Sequence, residues 1–337
     1  MSARNVRGST PAAADTAVVA LPGTGITTSR LGFGCAELYR EPSGAQRRRL
    51  LDRARHAGIS HFDVAPMYGL GIAERELGAF ASRRRDQVVI ATKFGISPSL
   101  AARAIGRVQG PARRLLAASQ GLRSRARSSA PGPASGGTGS LLYRASGFDA
   151  TAARASLERS LRELRTDYVD LLLLHDPEPG QVDGDGLCSY LEQLRTTGQI
   201  RSWGVAGEPG PTLRVASELP VMPGVIQVRD DLLEGRRSVL PTTACITFGV
   251  LGRVLGAVGS HLAADQSRRR AWGKAVGIDC GDRELLAGLL LRWASRANPD
   301  GVVLFGTISV DHIAAGAAAI ASAHGDLDAF AELVDSE

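Results

Sequence analysis

Eight short apolar, β-rich runs recur along the chain with helical patterns between them, and this alternation constrains the fold more than any other feature. The runs are Leu31–Gly34, Ile59–Val64, Val88–Thr92, Val169–Leu174, Ile200–Val205, Val225–Val228, Ala244–Phe248 and Val302–Phe305. Most lack the polar alternation of a half-exposed strand, as parallel strands covered on both faces should. Ser43 can cap a helix carrying Leu50, Leu51, Ala54 and Ala57, which Gly58 ends. Ala153, Leu157, Leu161 and Leu164 stripe the next clear helix, started by Asp149 or Thr151, and Asp282 precedes one with Leu285, Leu286, Leu289, Leu290 and Trp293. Eight strands alternating with helices predict an α/β protein, a closed (β/α)8 TIM barrel, over an open doubly wound sheet. No Gly-x-Gly-x-x-Gly follows a strand, which counts against a Rossmann domain.

At 337 residues the chain suits a barrel folding as one domain. We expect a flexible tail over residues 1–17 and a single domain over 18–337. Val18–Ala20 and Ile26–Thr28 flank Pro22-Gly23-Thr24-Gly25 and predict a β-hairpin, placed to plug the N-terminal end of the barrel. Residues 97–148 interrupt the rhythm after the third strand, where an insertion emerges on the face that carries barrel active sites. Leu100, Ala101, Ala104, Ile105 and Val108 suggest a short helix there, and residues 128–137 are a Ser/Pro/Gly stretch expected to be flexible.

The net charge of +6 resides in that insertion. It holds eight arginines (103, 107, 113, 114, 123, 125, 127 and 144) and no Lys, Asp or Glu, so the rest of the chain is slightly acidic. A basic segment without interleaved aromatics argues against a nucleic-acid partner. The insertion can instead act as a basic flap over the barrel mouth or as a solvated loop without a role. No apolar run approaches the ~18 residues of a membrane span, and the apolar stretch near Val18–Leu21 is too short for a signal peptide. Cys35, Cys188, Cys245 and Cys280 form no Cys-x-x-Cys pair, so we expect no metal site, reduced thiols and a cytoplasmic protein.

Four polar residues stand at or just past strand ends: Asp63, Tyr68, Lys93 (one of only two lysines) and His175. Singly, each has a plain structural reading: a helix cap, a packed loop aromatic, a solvated strand end and a satisfied core histidine. Successive strands ending in different titratable types converge on one barrel mouth, and together they suit carbonyl reduction. A developing alkoxide needs a proton donor. A tyrosine with a pKa near ~10 is a weak one, but an adjacent ammonium stabilises its phenolate. Asp63 can hold Lys93 charged, and His175 can orient the substrate carbonyl. No side chain supplies hydride, so a cofactor must. His56, His61, His261 and His324 match no pattern and are read as surface or structural. Asp176 and Glu178 are read as loop solubility.

The chain resembles the aldo-keto reductase superfamily from Val18 to about Ala323. The matching stretches are Leu-Gly-Phe-Gly-Cys-Ala (31–36), Phe-Asp-Val-Ala-Pro-Met-Tyr-Gly (62–69), Ala73-Glu74-Arg75-Glu76-Leu77-Gly78, Ala-Thr-Lys-Phe-Gly (91–95), Ser156-Leu-Glu-Arg-Ser-Leu161, Asp167-Tyr-Val-Asp170 and Leu-Leu-His-Asp-Pro (173–177). Their wording is similar to the branch containing L-galactose, D-arabinose and threo-aldose dehydrogenases. The resemblance implies a catalytic tetrad at Asp63, Tyr68, Lys93 and His175, a small carbonyl or alcohol substrate, and an extended NADP(H), with NAD(H) not excluded. It further implies cofactor contacts at Ala36 and at Gln227, which matches the glutamine that binds the carboxamide. Phe248, with Gly249 and Leu251, falls where an aromatic ring stacks on the nicotinamide. Gly306 and Thr307 match the loop near the adenosine phosphate.

Three places depart from the family pattern. Gly204-Val205-Ala206-Gly207 stands where Gly-Val-Ser-Asn is frequent, Asp230-Asp231 where Tyr-Asn or Tyr-Ser is usual, and His312 and Gly316 where many NADPH users carry Arg and Asn. The catalytic set is untouched, while cofactor affinity and NADPH preference are put in question. Two functions remain open at this point: an active oxidoreductase, or a catalytically weak cofactor-sensing or regulatory barrel.

Overall fold

A computed structural model describes residues 18–99, 102, 143–230 and 244–335. The tail expected over 1–17 and the low-complexity stretch 128–137 lie outside these residues, as does the expected helix near 100–108 apart from Ala102. Strands β1 (Val18–Leu21) and β2 (Ile26–Ser29) pair as the expected hairpin. Strands β3 (Leu31–Gly34), β4 (His61–Asp63) and β5 (Val89–Phe94) follow. An antiparallel pair, β6 (Ile96–Pro98) and β7 (Tyr143–Ala145), brackets the insertion, so the chain leaves and re-enters the barrel side by side. Then come β8 (Val169–His175), β9 (Ile200–Gly207), β10 (Val225–Arg229), β11 (Ala244–Phe248) and β12 (Val302–Phe305). Strands β3, β4, β5, β8, β9, β10, β11 and β12 pair in parallel in that order, and β12 returns to β3 to close an eight-stranded barrel.

The helices are α1 (Gly44–His56), α2 (Ile72–Ala81), α3 (Ala150–Leu164), α4 (Gly184–Thr196), α5 (Pro209–Glu218), α6 (Arg253–Ala264), α7 (Gln266–Val276), α8 (Arg283–Ala297), α9 (Val310–Ala321) and α10 (Leu327–Asp335). Ser43, Asp149 and Asp282 cap α1, α3 and α8 as expected, each accepting a backbone N–H of the first turn. No helix among the described residues is long and apolar enough to cross a membrane. None of the four cysteines forms a disulfide, and all four are buried.

Period-two alternation explains why the strands read as continuous apolar runs. Leu171 and Leu173 of β8 join the cluster inside the barrel, with Val89, Ala91, Ile246 and Leu304. Leu172 and Leu174 face outward and pack with Leu157 and Leu187 of the helices. The hairpin contributes Val19, Leu21 and Ile26 to the interior cluster and so plugs the barrel floor. Polar ties fix it there: Ser29 and Ser60 exchange backbone-to-hydroxyl bonds of 2.8 Å, and Arg201 Nη2 donates to the Gly25 carbonyl at 2.8 Å. This is why β4 is shorter than the run Ile59–Val64: Ser60 is engaged by the hairpin, and Ile59 N–H bonds back to Ala54 of α1.

Two matched motifs are structural. Asp170 is buried at the start of β8, where it accepts from Ile90 N–H at 2.9 Å, Arg85 at 2.7 Å and Arg201 at 3.1 Å, lacing three strands together. Gly78 lets α2 meet the end of α3 backbone to backbone. A methyl group there would lie 2.6 Å from Leu164 Cα and closer still to the Glu163 carbonyl. Gly78→Ala is therefore expected to destabilise the fold by about 1–3 kcal/mol, read as a lower urea midpoint at unchanged slope. An unchanged midpoint would show that these helices separate at no cost.

Candidate active site

Asp63, Lys93 and His175 lie at the C-terminal ends of β4, β5 and β8 and Gln227 in the middle of β10, all at inward-facing positions of the strand alternation. Each is at most 7% exposed. Tyr68 opens a short turn, Tyr68–Gly71, that carries the chain from β4 into α2. Gly69 takes φ +57° in that turn, and a methyl group on it would run into Tyr39, so a residue free of Cβ is required. The expected tetrad converges. Lys93 Nζ donates to both Asp63 oxygens, at 2.6 and 2.7 Å, and to Tyr68 Oη at 3.3 Å. Gln227 Nε2 donates to Asp63 Oδ2 at 2.9 Å. The Tyr68 and His175 rings meet edge to face with centroids 6.0 Å apart.

Burial disfavours the Lys93 charge, but Asp63 and Tyr68 outweigh it and hold the ammonium above its ordinary pKa. Burial pushes the Tyr68 phenol up to about 12, against the opposing pull of Lys93. The pull of Lys93 is visible in the sequence and the larger effect of burial is not, and the resting phenol is protonated at neutral pH. Burial, with Lys93, drives His175 down to about 3, so its imidazole is neutral and keeps one N–H to donate.

These groups line a cavity of about 550 Å³ at the barrel mouth, which also takes in Ala36, Phe248, Gly249, Leu251 and Gly306. A second cavity, of about 530 Å³, shares Leu251, Phe305 and Gly306 with the first and adds Thr307 and His312. All twelve residues named from the sequence thus lie along one bipartite trough. The trough fits an elongated two-headed ligand. At its catalytic end Gln227 Oε1 is buried and, among the described residues, accepts no hydrogen bond. That orphaned acceptor suits the amide of a nicotinamide.

Charged residues that the sequence did not assign to the site also line it. Asp176, Glu208 and Arg229 line the catalytic cavity, and Arg283 and Glu284 the second. Arg229 Nε is bonded to Glu208 at 2.8 Å, and its guanidinium lies over the Phe248 ring. Asp176, read from the sequence as a solvated loop carboxylate, is indeed exposed, with 54% of its side chain accessible, but it also lines the cavity. Its φ of +48° turns it back over the barrel mouth, and its N–H bonds the Ala206 carbonyl at 2.7 Å. For Arg229 the signal was available, because it lies two residues beyond inward-facing Gln227 on the same strand.

A D-threo-aldose 1-dehydrogenase from a Pseudomonas species is 31% identical over 238 residues, covering 67% of this chain and 65% of that protein. L-galactose dehydrogenase of Arabidopsis thaliana is 28% identical over 56% of this chain and 48% of its own length. The chain thus spans under two thirds of either relative. An aldo-keto reductase from Bacillus halodurans superposes with a TM-score of 0.65 at 18% identity, covering 95% of each chain. Glycerol dehydrogenase from Gluconobacter oxydans does so with 0.66 at 18%, covering 96% of this chain and 95% of its own. At that identity the structures establish the barrel fold alone. The model of the aldo/keto reductase family matches residues 30–240, from the first barrel strand through the sixth, and on that evidence the chain belongs to this family.

Proposed function

We propose that the protein interconverts a carbonyl and an alcohol with a nicotinamide cofactor, with Tyr68 as general acid and base, in a single barrel domain over 18–337 interrupted by the insertion 97–148. The observation that carries this reading is Lys93 Nζ bridging the Asp63 carboxylate and the Tyr68 hydroxyl inside one cavity with His175. Bound nicotinamide supplies the hydride, which no side chain offers. The Tyr68 phenol donates its proton to the carbonyl oxygen as negative charge develops there, and Lys93 stabilises the phenolate left behind. Asp63 keeps Lys93 charged and aimed, and Gln227 keeps Asp63 in place. Neutral His175 donates its remaining N–H to the carbonyl and orients it. Turnover of a panel of aldehydes, ketones and aldoses with NADH and with NADPH tests the reading. Cofactor binding without turnover of any member would favour the cofactor-sensing alternative, to which the missing side-chain donors at Ala206 and Gly207 lend some support.

NADP(H) is expected to bind with only modest preference over NAD(H). Arg283 and His312 face the second cavity and suit a 2′-phosphate, but Glu284 and Asp282 line it too and oppose one. Dissociation constants for both cofactors check this. A preference beyond about a hundredfold, roughly 2.8 kcal/mol, in either direction would contradict it.

A further inference from the structure

Strand β9 ends in Ala206 and Gly207, which present no polar side chain to the cavity. The space beside Gly207 is nevertheless filled. A methyl group placed on Gly207 would lie 2.7 Å from Asp176 Oδ1 and 2.9 Å from Thr212 Oγ1. The carboxylate reaches this slot from the neighbouring strand, where His175 of β8 pairs with Ala206 of β9. The next residue, Asp176, takes a left-handed conformation, φ +48°, that Asp tolerates better than most residues. Its N–H anchors to Ala206 O at 2.7 Å, and its Oδ2 lies 3.8 Å from His175 Nε2.

Besides the ion-paired Glu37 and Glu208, the cavity thus presents the half-exposed Asp176 carboxylate and the buried Gln227 Oε1, which accepts no hydrogen bond among the described residues. The buried amide oxygen calls for a ligand with N–H or O–H donors, and the solvated carboxylate beside it can accept a second bond from the same ligand. A primary amide offers two such donors on one nitrogen. A carboxylate also distinguishes a cationic pyridinium ring from its neutral reduced form, which a neutral amide acceptor does not.

We propose that Asp176 is a cofactor-binding residue: its carboxylate, turned into the slot beside Gly207, accepts a hydrogen bond from the nicotinamide carboxamide and by its charge favours the oxidised cofactor. This rests on reading the cavity as the nicotinamide site. Lys93 and Arg229 temper the charge of Asp176, while Glu208 and Glu178 add to the negative potential around it. The residue thereby biases the bound cofactor toward its oxidised state.

The test is a set of dissociation constants for NADP+, NADPH and 2′,5′-ADP, which lacks the nicotinamide, on the full chain at pH 8 by tryptophan fluorescence or calorimetry. Asp176→Asn keeps an acceptor but removes the charge. It is expected to weaken NADP+ about tenfold, with NADPH changed less than threefold and 2′,5′-ADP unchanged. Asp176→Ala should weaken both nicotinamide forms. Adding Gly207→Asn to Asp176→Ala, which puts an amide into the emptied slot, should restore both without restoring the preference for NADP+. Equal affinities of the parent and both Asp176 variants for NADP+ and NADPH would overturn the inference while leaving the site intact, as would a loss that extends to 2′,5′-ADP. A parent chain that binds 2′,5′-ADP but gains nothing from the nicotinamide would overturn the nicotinamide site itself, and this inference with it.

Discussion

Replacing Tyr68 with Phe is expected to lower carbonyl reduction by about 10²–10⁴-fold, with cofactor affinity nearly unchanged. Phenylalanine keeps the ring that packs edge to face on His175 and loses only the hydroxyl that Lys93 contacts at 3.3 Å. The measurement is kcat with NADPH on a carbonyl that the parent reduces, beside the cofactor dissociation constant. The pH profile adds a second check. With the phenol pushed up to about 12, the protonated donor persists through neutral pH, so reduction should show no Tyr68 limb between pH 6 and 9. Alcohol oxidation needs the phenolate and should rise with pH over the same range, a rise absent from Tyr68→Phe. Near-parental turnover by the variant would remove Tyr68 as the acid.

Lys93→Met is expected to cost a comparable factor in rate and, unlike Tyr68→Phe, to destabilise the fold. Both oxygens of the buried Asp63 accept from Lys93, and among the described residues Gln227 is the other side chain bonded to that carboxylate. Removing one partner of a buried pair strands the other, at a cost of about 3–5 kcal/mol. The double variant Asp63→Asn with Lys93→Met removes both charges and should recover much of the stability but none of the rate, because neighbouring effects of this kind do not add. Denaturant midpoints and kcat on the parent, Asp63→Asn, Lys93→Met and the double variant check both halves. Additive losses of stability would mean that the pair is not coupled as the 2.6 Å contact implies.

The barrel was legible because its strands are buried on both faces. Leu171 to Leu174 read as one apolar run, yet alternate between the interior and the helical layer. The tetrad was legible because each member sits at the end of such a run or just past it, where strand direction alone fixes which face of the barrel it joins. What stayed hidden depended on backbone torsion and on cross-strand neighbours. Asp176 follows a strand end like any loop carboxylate, and only its left-handed turn and the empty side of Gly207 bring it into the cavity. The Tyr68 pKa divides in the same way: the lowering effect of Lys93 is visible in the sequence, whereas the burial that outweighs it arises from packing. Asp170 is the converse case, a motif carboxylate whose work is to tie Ile90, Arg85 and Arg201 together rather than to react.

The proposed reaction is hydride transfer from a nicotinamide to a carbonyl carbon, completed by a proton from Tyr68. Its most direct test uses NADPH dideuterated at the nicotinamide C4, with mass spectrometry of the alcohol formed from each carbonyl of the panel. One deuterium is expected on the former carbonyl carbon with the parent chain, and that signal reduced by the full rate factor with Tyr68→Phe. Tight cofactor binding with no deuterium transferred to any substrate would contradict it and leave the barrel as a sensor of its cofactor.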